Sequence, residues 1–499
     1  MAEGSALLAR VRARAEAAFE ESVRRLVDFL RIPSVGTDPA RAADTRRAAE
    51  WLARELAGLG LAVELAETGG HPVVLARGGP DRGPRVLYYG HYDVQPPDPV
   101  EAWSGDPFNP RIVDGPHGPR VVARGASDDK GQLMTIVEAL RAWMAETGGL
   151  PVPVTLMVEG EEESGSAHLP AFVRARREAL AADVAVISDT AMMDPDTPAI
   201  TASLRGIVYV ELRLRGPARD LHSGLYGGVA PNPLHALAAF LAGLHDARGR
   251  VTLPGFYDRV RPPDPALREA WARLPFDEAA FFREGGFEVP VGEEGHDTLA
   301  RLWARPCLDV NGIAGGYVGE GAKTVIPAEA RAKFSCRLVP DQRADEVFAA
   351  IERACRERLP AWARFELLDL GRGDPLAVDP ESPAFAVARE ALAAVFGRAP
   401  VAIGCGGSIP VAGVLAAELG LVPLLVGFGL EDDRVHAPDE KFELVNFRRG
   451  ILTHVHMLAG FATRGGSGSG EMPATGRRQP ASATRAARAR RSSTKPSTT

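Results

Sequence analysis

The sequence predicts an α/β fold, a mostly parallel sheet covered by helices on both faces, with a smaller α+β unit inserted into it. Three observations carry this. Short apolar runs alternate with helical stretches between residues 62 and 187. The pattern changes near Gly206 to strict apolar/polar alternation, and near Pro383 the helical and apolar runs resume. At 499 residues the chain exceeds what one ordinary core accommodates, so two domains are expected.

An amphipathic helix is expected over 7–30, stopped by Ile32-Pro33, and a second over 45–59, ended by Gly60. Candidate strands follow at 62–65, 73–76, 85–89, 154–158 and 184–187, with a helix at 131–145 between the third and fourth. Strands alternating with helices imply parallel pairing and two covered faces. After Gly206, Val208, Val210, Leu212 and Leu214 alternate with Tyr209, Glu211 and Arg213, the mark of a strand with one wet face. Asn232-Pro233 caps a helix whose Leu234, Leu237, Leu241 and Leu244 share a stripe. A strand near 307–317, an alternating strand from Ala330 to Leu338, a helix carrying Val347, Ile351 and Cys355, and a strand near Phe365 complete a split βαβ pattern. A helix at 385–395 then opens the second α/β segment, which ends near Phe461. The resulting domains are 1–205 and 381–463 for the larger unit, 206–380 for the insert, and 464–499 for a disordered basic tail.

Charge and composition exclude several classes. Charged residues make up 25% and hydrophobic ones 45%, the balance of a soluble globular protein. The formal net charge is -7, which argues against a general nucleic-acid binder. From Arg464 onward eight Lys/Arg stand against one Glu, so the tail carries +7 and the remainder -14. The tail lacks apolar periodicity and cannot offset the entropy of ordering. Four cysteines without CxxC spacing read as reduced thiols in a cytosolic protein. The N-terminus has no charged-then-apolar signal pattern, so secretion is not expected. The most membrane-like stretch, 411–430, is broken by Glu418, Pro423 and glycines, and reads as a buried helix followed by a buried strand.

Chemistry-bearing residues gather where apolar strands end. His91 and Asp93 follow the run Val86 to Tyr89. Asp128 and Asp129 stand before a helix in Arg124-Gly125-Ala126-Ser127-Asp128-Asp129-Lys130-Gly131, where a helix N-terminus favours negative charge. Glu161, Glu162 and Glu163 follow Met157-Val158-Glu159-Gly160; three adjacent carboxylates repel one another unless a cation or solvent relieves them. Asp189 follows the run from Val184 to Ser188, and His436 sits in a loop after 425–428. Open α/β sheets bind ligands at the carboxyl ends of their strands. His91, Asp128, Glu163, Asp189 and His436 together suit two Zn²⁺ or Mn²⁺ ions, with a neighbouring Glu as general base, and point to a metal-dependent hydrolase.

The motifs GHYDVQPP, ARGASDDKG, EGEEESGS, ISDT, DLHSGLYGG, KTVIPAEA, RLVPDQ and GGSIPV stand in this order between Gly90 and Val411, and the resemblance they carry extends over roughly residues 15–462. In these the chain resembles the M20 family of metallopeptidases, most similar to its cytosolic nonspecific dipeptidase and carnosinase branch. The resemblance implies a zinc-exopeptidase type catalytic domain with a ferredoxin-like dimerisation or lid domain. It implies that His91 and Asp189 complete opposite metal sites, that Asp128 bridges both ions, and that Glu163 binds the ion shared with His436. Glu162 would be the base acting on a metal-bridging water, and Asp93 would support His91. A cis peptide after Asp128 is also implied. His222 would reach the partner's active site across a homodimer and stabilise the oxyanion. Arg337 would bind the substrate carboxylate, with Gly407 and Ser408 contacting the same group. One departure is Ile403-Gly404-Cys405 before GGSIP, where that branch carries an Arg or acidic residue.

The expected activity is hydrolysis of dipeptides or short peptides. The alternative in the same class is a deacylase or amidohydrolase of N-acyl or N-carbamoyl amino acids. A catalytically silent peptide binder, and an RNA-associated protein acting through the basic tail, are the readings from other classes.

Overall fold

A computed structural model of the chain describes residues 2–407 and 409–465; Ser408 and the tail from 466 lie outside the described residues. The main sheet is nine-stranded and mixed. Its centre is parallel: Val86–His91 pairs in parallel with Val154–Glu159 on one side and Val184–Ile187 on the other, and Val184–Ile187 with Leu424–Leu425. Antiparallel strands flank this centre, Ala62–Ala66 and Val73–Gly78 on one side and Ala199–Leu204 on the other. The three central strands are buried from end to end apart from Thr155, which is why they read as continuous apolar runs rather than alternating ones.

Helix Lys130–Thr147 lies almost wholly buried, with Leu133, Met134, Ile136, Val137 and Leu140 in the core, and ends where Gly148 turns left-handed at φ 72°. Helix Leu444–Gly465 packs beside it and runs into the first residues of the stretch expected to be disordered. The helix expected over 7–30 is two helices, Ala2–Ala17 and Phe19–Leu30, with the turn at Ala18. The second buries Phe19, Val23, Leu26, Phe29 and Leu30 on one face. No helix among the described residues is long and apolar enough to cross a membrane, and the 411–430 stretch holds helix Pro410–Leu419 and strand Leu424–Leu425.

A second, four-stranded antiparallel sheet is built from Gly206–Arg215, Cys307–Gly315, Glu329–Leu338 and Arg364–Gly373. Numbered in chain order, these strands lie side by side as 4-1-3-2, the split βαβ arrangement. The alternation is realised residue by residue: Val208 faces Cys336, Val210 faces Phe334 and Leu212 faces Ala332, all buried. Helices Pro233–Ala242 and Ala344–Arg358 cover this face, the first capped by the Asn232 side chain, which accepts from Leu234 N at 3.0 Å. Between these two halves lie the short helices Pro265–Trp271, Glu278–Glu284 and Thr298–Trp303, which the sequence pattern does not announce. Trp271 and Trp303 stack edge to face and pack with Ile403 and Ala199 of the main sheet, and the Trp271 indole donates to Ala402 O at 2.9 Å.

Phe334 is fully buried at the centre of the smaller core. Phe334→Ala should therefore cost about 3–5 kcal/mol in urea unfolding of the full chain. A loss below about 1 kcal/mol would mean that this core is loosely packed.

Candidate metal centre

The parallel register brings the strand ends together, because His91 pairs with Glu159 and Tyr89 with both Met157 and Ile187. His91, the turn Glu162–Ser164 and Asp189 therefore emerge at one edge of the sheet. Asp128 reaches the same place from the loop before helix Lys130–Thr147, and the Asp128–Asp129 peptide is cis. Gly90 is needed beneath this loop: a Cβ there would lie 2.9 Å from Asp129 Oδ2 and 3.0 Å from a Leu133 methyl group. The same Asp129 oxygen accepts from His91 N at 3.0 Å, tying the strand end to the helix start.

Two groups of possible ligands share one residue. His91, Asp128 and Asp189 offer one atom each within 4.8 Å of one another, and so do Asp128, Glu163 and His436. His91 Nε2 lies 3.0 Å from Asp128 Oδ1 and 3.7 Å from Asp189 Oδ2. His436 Nε2 lies 2.9 Å from the other Asp128 oxygen and 3.3 Å from Glu163 Oε2. Despite these approaches, buried His91 Nε2 and Glu163 Oε1 have no partner with hydrogen-bond geometry. A buried imidazole nitrogen and a buried carboxylate oxygen left unpaired are costly. Two cations, one in each group, would relieve both, so the residues present fit a dinuclear centre.

The surrounding groups orient these side chains. His91 Nδ1 faces Asp93 O at 3.1 Å and Asp93 Oδ1 at 3.4 Å, which leaves Nε2 turned to the ligand group. The support expected of Asp93 is divided, because its other oxygen accepts from Glu163 N at 3.1 Å. Gln95, from the same motif, donates to Glu163 Oε2 at 2.7 Å.

Burial pushes the Glu162 carboxyl up to about 8, and Asp189, Glu163 and Asp128 add to this while His91 opposes it. Burial likewise raises Asp189. For Asp128 burial acts upward, but the hydrogen bond with His436 and the close approach of the His91 imidazole outweigh it and hold the carboxyl below its usual range. Its contact with Asp128, then that with Glu163, carries His436 up to about 10. Bound cations act in the opposite direction on the imidazoles and lower the carboxyls.

Of the other expected site residues, His222, Arg337 and Gly407 belong to neither ligand group. His222 is exposed at the end of a short strand of the smaller unit, where its Nδ1 accepts from Gly224 N at 2.9 Å. Arg337 is half-buried on a central strand of the four-stranded sheet, opposite Ile207 and Cys307. Gly407 follows strand Val401–Cys405, and Ser408 lies outside the described residues. Residues without a sequence signal also shape the site. Arg205 donates to Gly406 O at 2.9 Å and approaches Cys307 Sγ at 3.6 Å, and Glu440 holds the Asp128 loop. Neither sits in a periodic pattern or a spacing that separates it from a surface charge.

The chain is similar to known metallopeptidases. Cys-Gly metallodipeptidase dug1 of Schizosaccharomyces pombe is 33% identical over 463 residues, covering 88% of this chain and 96% of its own. Human carnosine dipeptidase 1 superposes with a TM-score of 0.75 at 29% identity, over 92% of this chain and 99% of its own. The M20 family metallo-carboxypeptidase Sso-CP2 from Sulfolobus solfataricus gives 0.78 at 31% identity, over 89% and 99%. The sequence pattern of peptidase family M20/M25/M40 matches residues 87–460, so the chain is a metallopeptidase and belongs to that family.

Proposed function

We propose that the protein is a dipeptidase that hydrolyses dipeptides or short peptides at a dinuclear centre of Zn²⁺ or Mn²⁺. The observation that carries this reading is the pair of three-residue ligand groups sharing Asp128, beside a glutamate whose proton affinity is raised to about 8. Similarity to a Cys-Gly metallodipeptidase and to human carnosine dipeptidase 1 supports the substrate class.

In this reading His91 and Asp189 would hold one ion and Glu163 and His436 the other, with Asp128 available to both groups. The ions supply Lewis-acid polarisation of the scissile carbonyl and lower the pKa of water. Glu162 takes a proton from the attacking water as the C–O bond forms. It then delivers that proton to the leaving nitrogen as the C–N bond breaks, so the base ends as it began. Asp93 keeps His91 oriented. Arg337, Gly407 and Ser408 take the substrate's free carboxylate.

Residues 206–380 act as lid and dimerisation domain between the catalytic segments 1–205 and 381–463, and His222 serves the partner's site across a homodimer. The apolar surface of this unit supports such pairing: Leu225, Val229, Ile313 and Val318 are 79%, 89%, 61% and 92% exposed. The unpaired cysteines suit a cytosolic enzyme.

The direct test is release of free amino acids from Ala-Ala, Cys-Gly and carnosine by apo-protein reloaded separately with Zn²⁺ and Mn²⁺. Metal-dependent cleavage is expected; cleavage of N-acetyl amino acids alone would transfer the assignment to the amidohydrolase alternative. Glu162→Ala should lower kcat by about 10²–10⁴-fold while two ions stay bound, as read by elemental analysis. Loss of the ions would make Glu162 a ligand instead.

His222→Ala and Glu162→Ala proteins, each inactive, should regain activity when refolded together, because mixed dimers contain one intact composite site. No recovery would place His222 outside catalysis.

Metal binding should be proton-linked. Without metal His436 stays protonated up to about pH 10, and only the neutral imidazole ligates. Zn²⁺ affinity should therefore rise between pH 6 and 8, with protons released in calorimetry across buffers of different ionisation heats. An affinity flat over this range would remove His436 from the ligand set.

A further inference from the structure

Glu440 is fully buried, and both its oxygens are used. Oε1 accepts from Ser127 N at 2.9 Å and Asp128 N at 3.0 Å, while Oε2 accepts from Gly125 N and Arg124 Nη1, each at 2.8 Å. One carboxylate thus collects three backbone donors from the loop carrying Asp128, plus a guanidinium that is itself 1% exposed. The loop is shaped for it: Gly125 stands at φ +82°, where a side chain is strained.

Glu440 also closes the loop that carries His436. Arg434, His436 and Asp439 are non-glycine residues at φ 57°, 63° and 58°, a conformation that their surroundings must impose. Asp433 anchors the other end, accepting from Ser127 Oγ at 2.9 Å, Leu430 N at 2.8 Å and Lys441 Nζ at 2.6 Å. Both anchors grip the same segment, Ser127 and its neighbours, from opposite ends of the His436 loop.

We propose that Glu440 is a positioning residue that sets the spacing of Asp128 from His436, and with it the geometry of the cation position those two share with Glu163. This rests on the dinuclear reading above. The His91–Asp189 side draws on Asp128 alone from this arrangement, so loss of Glu440 acts unequally on the two positions. A glutamine at 440 offers one carbonyl oxygen for one donor pair and turns an NH₂ toward the other pair.

The test is calorimetric titration of the apo full-length chain with Mn²⁺, together with thermal unfolding, for wild type, Glu440→Gln, Glu440→Asp and Glu138→Gln. Glu138 is the control, a buried carboxylate in the same helix as Lys130 but two turns further on, bonded to Ser22, Arg25 and Arg141. In Glu440→Gln one ion should bind as in wild type and the second about 10–100-fold more weakly. Glu440→Asp, which keeps the charge, should recover part of that loss, and Glu138→Gln should lose stability with both affinities unchanged. Two wild-type affinities in Glu440→Gln, or equal weakening of both ions that Glu138→Gln reproduces, would overturn the proposal. If Glu440→Gln does not fold, Glu440→Asp decides: selective weakening of one ion supports the proposal and unchanged binding overturns it. Wild-type protein that binds no Mn²⁺ would instead overturn the dinuclear reading, and this proposal with it.

Discussion

The arrangement of the larger unit depends on one electrostatic constraint. Asp128, Glu162, Glu163 and Asp189 converge on buried His91 and half-exposed His436 at the end of a buried sheet, where the carboxyls are largely withdrawn from water. Charges this close in a low dielectric either change protonation or recruit counter-charge. The raised Glu162 and Asp189, and the imidazoles held protonated, are the first response; cations are the second. In the proposed dinuclear reading, bound cations would lower Glu162 and let it exchange a proton near neutral pH, so the repulsion that makes the ion-free site unfavourable would also prepare it for chemistry.

A cluster under such stress needs a frame, and the helices supply it. Lys130 is buried, and its ammonium donates to Ile32 O at 2.7 Å and Phe29 O at 3.2 Å while lying 4.8 Å from the centre of the Phe29 ring. Burial pushes it down to about 7, yet the carbonyls at the end of helix Phe19–Leu30 are the natural partners of a positive charge. Through this contact the segment that presents Asp128 rests on the end of helix Phe19–Leu30. Ser22 and Arg25 grip the same long helix further along through Glu138, at 2.7 and 2.8 Å.

What the sequence made legible follows from range. The parallel centre, the alternating strands of the smaller sheet, the Asn232 cap and the strand-end carboxylates all leave local signatures: apolar runs, a period of two, a turn residue beside proline. His91, Asp128, Glu163, Asp189 and His436 were visible because each stands beside such a signature, although their roles came through family resemblance. Glu440 was not visible, because its bonds join segments more than 300 residues apart and nothing in Pro438-Asp439-Glu440-Lys441 marks it. The sheet formed by Arg111–Gly115, Gly118–Val122 and Lys441–Glu443 escaped for the same reason, its third strand being distant in sequence. The helices between 265 and 303 are too short for a stripe to emerge.

The tryptophan pair contributed by those short helices has a mechanical meaning. The chain passes between the two sheets at Arg205 and again near Pro375. Trp271 and Trp303, seated on the outer strand Val401–Cys405, add a third fastening that is apolar rather than covalent. Rotation of the smaller unit must either carry these rings along with that strand or expose them to water. The strand leads directly into Gly406 and Gly407, so the apolar contact that joins the two sheets is made by the strand that presents these glycines.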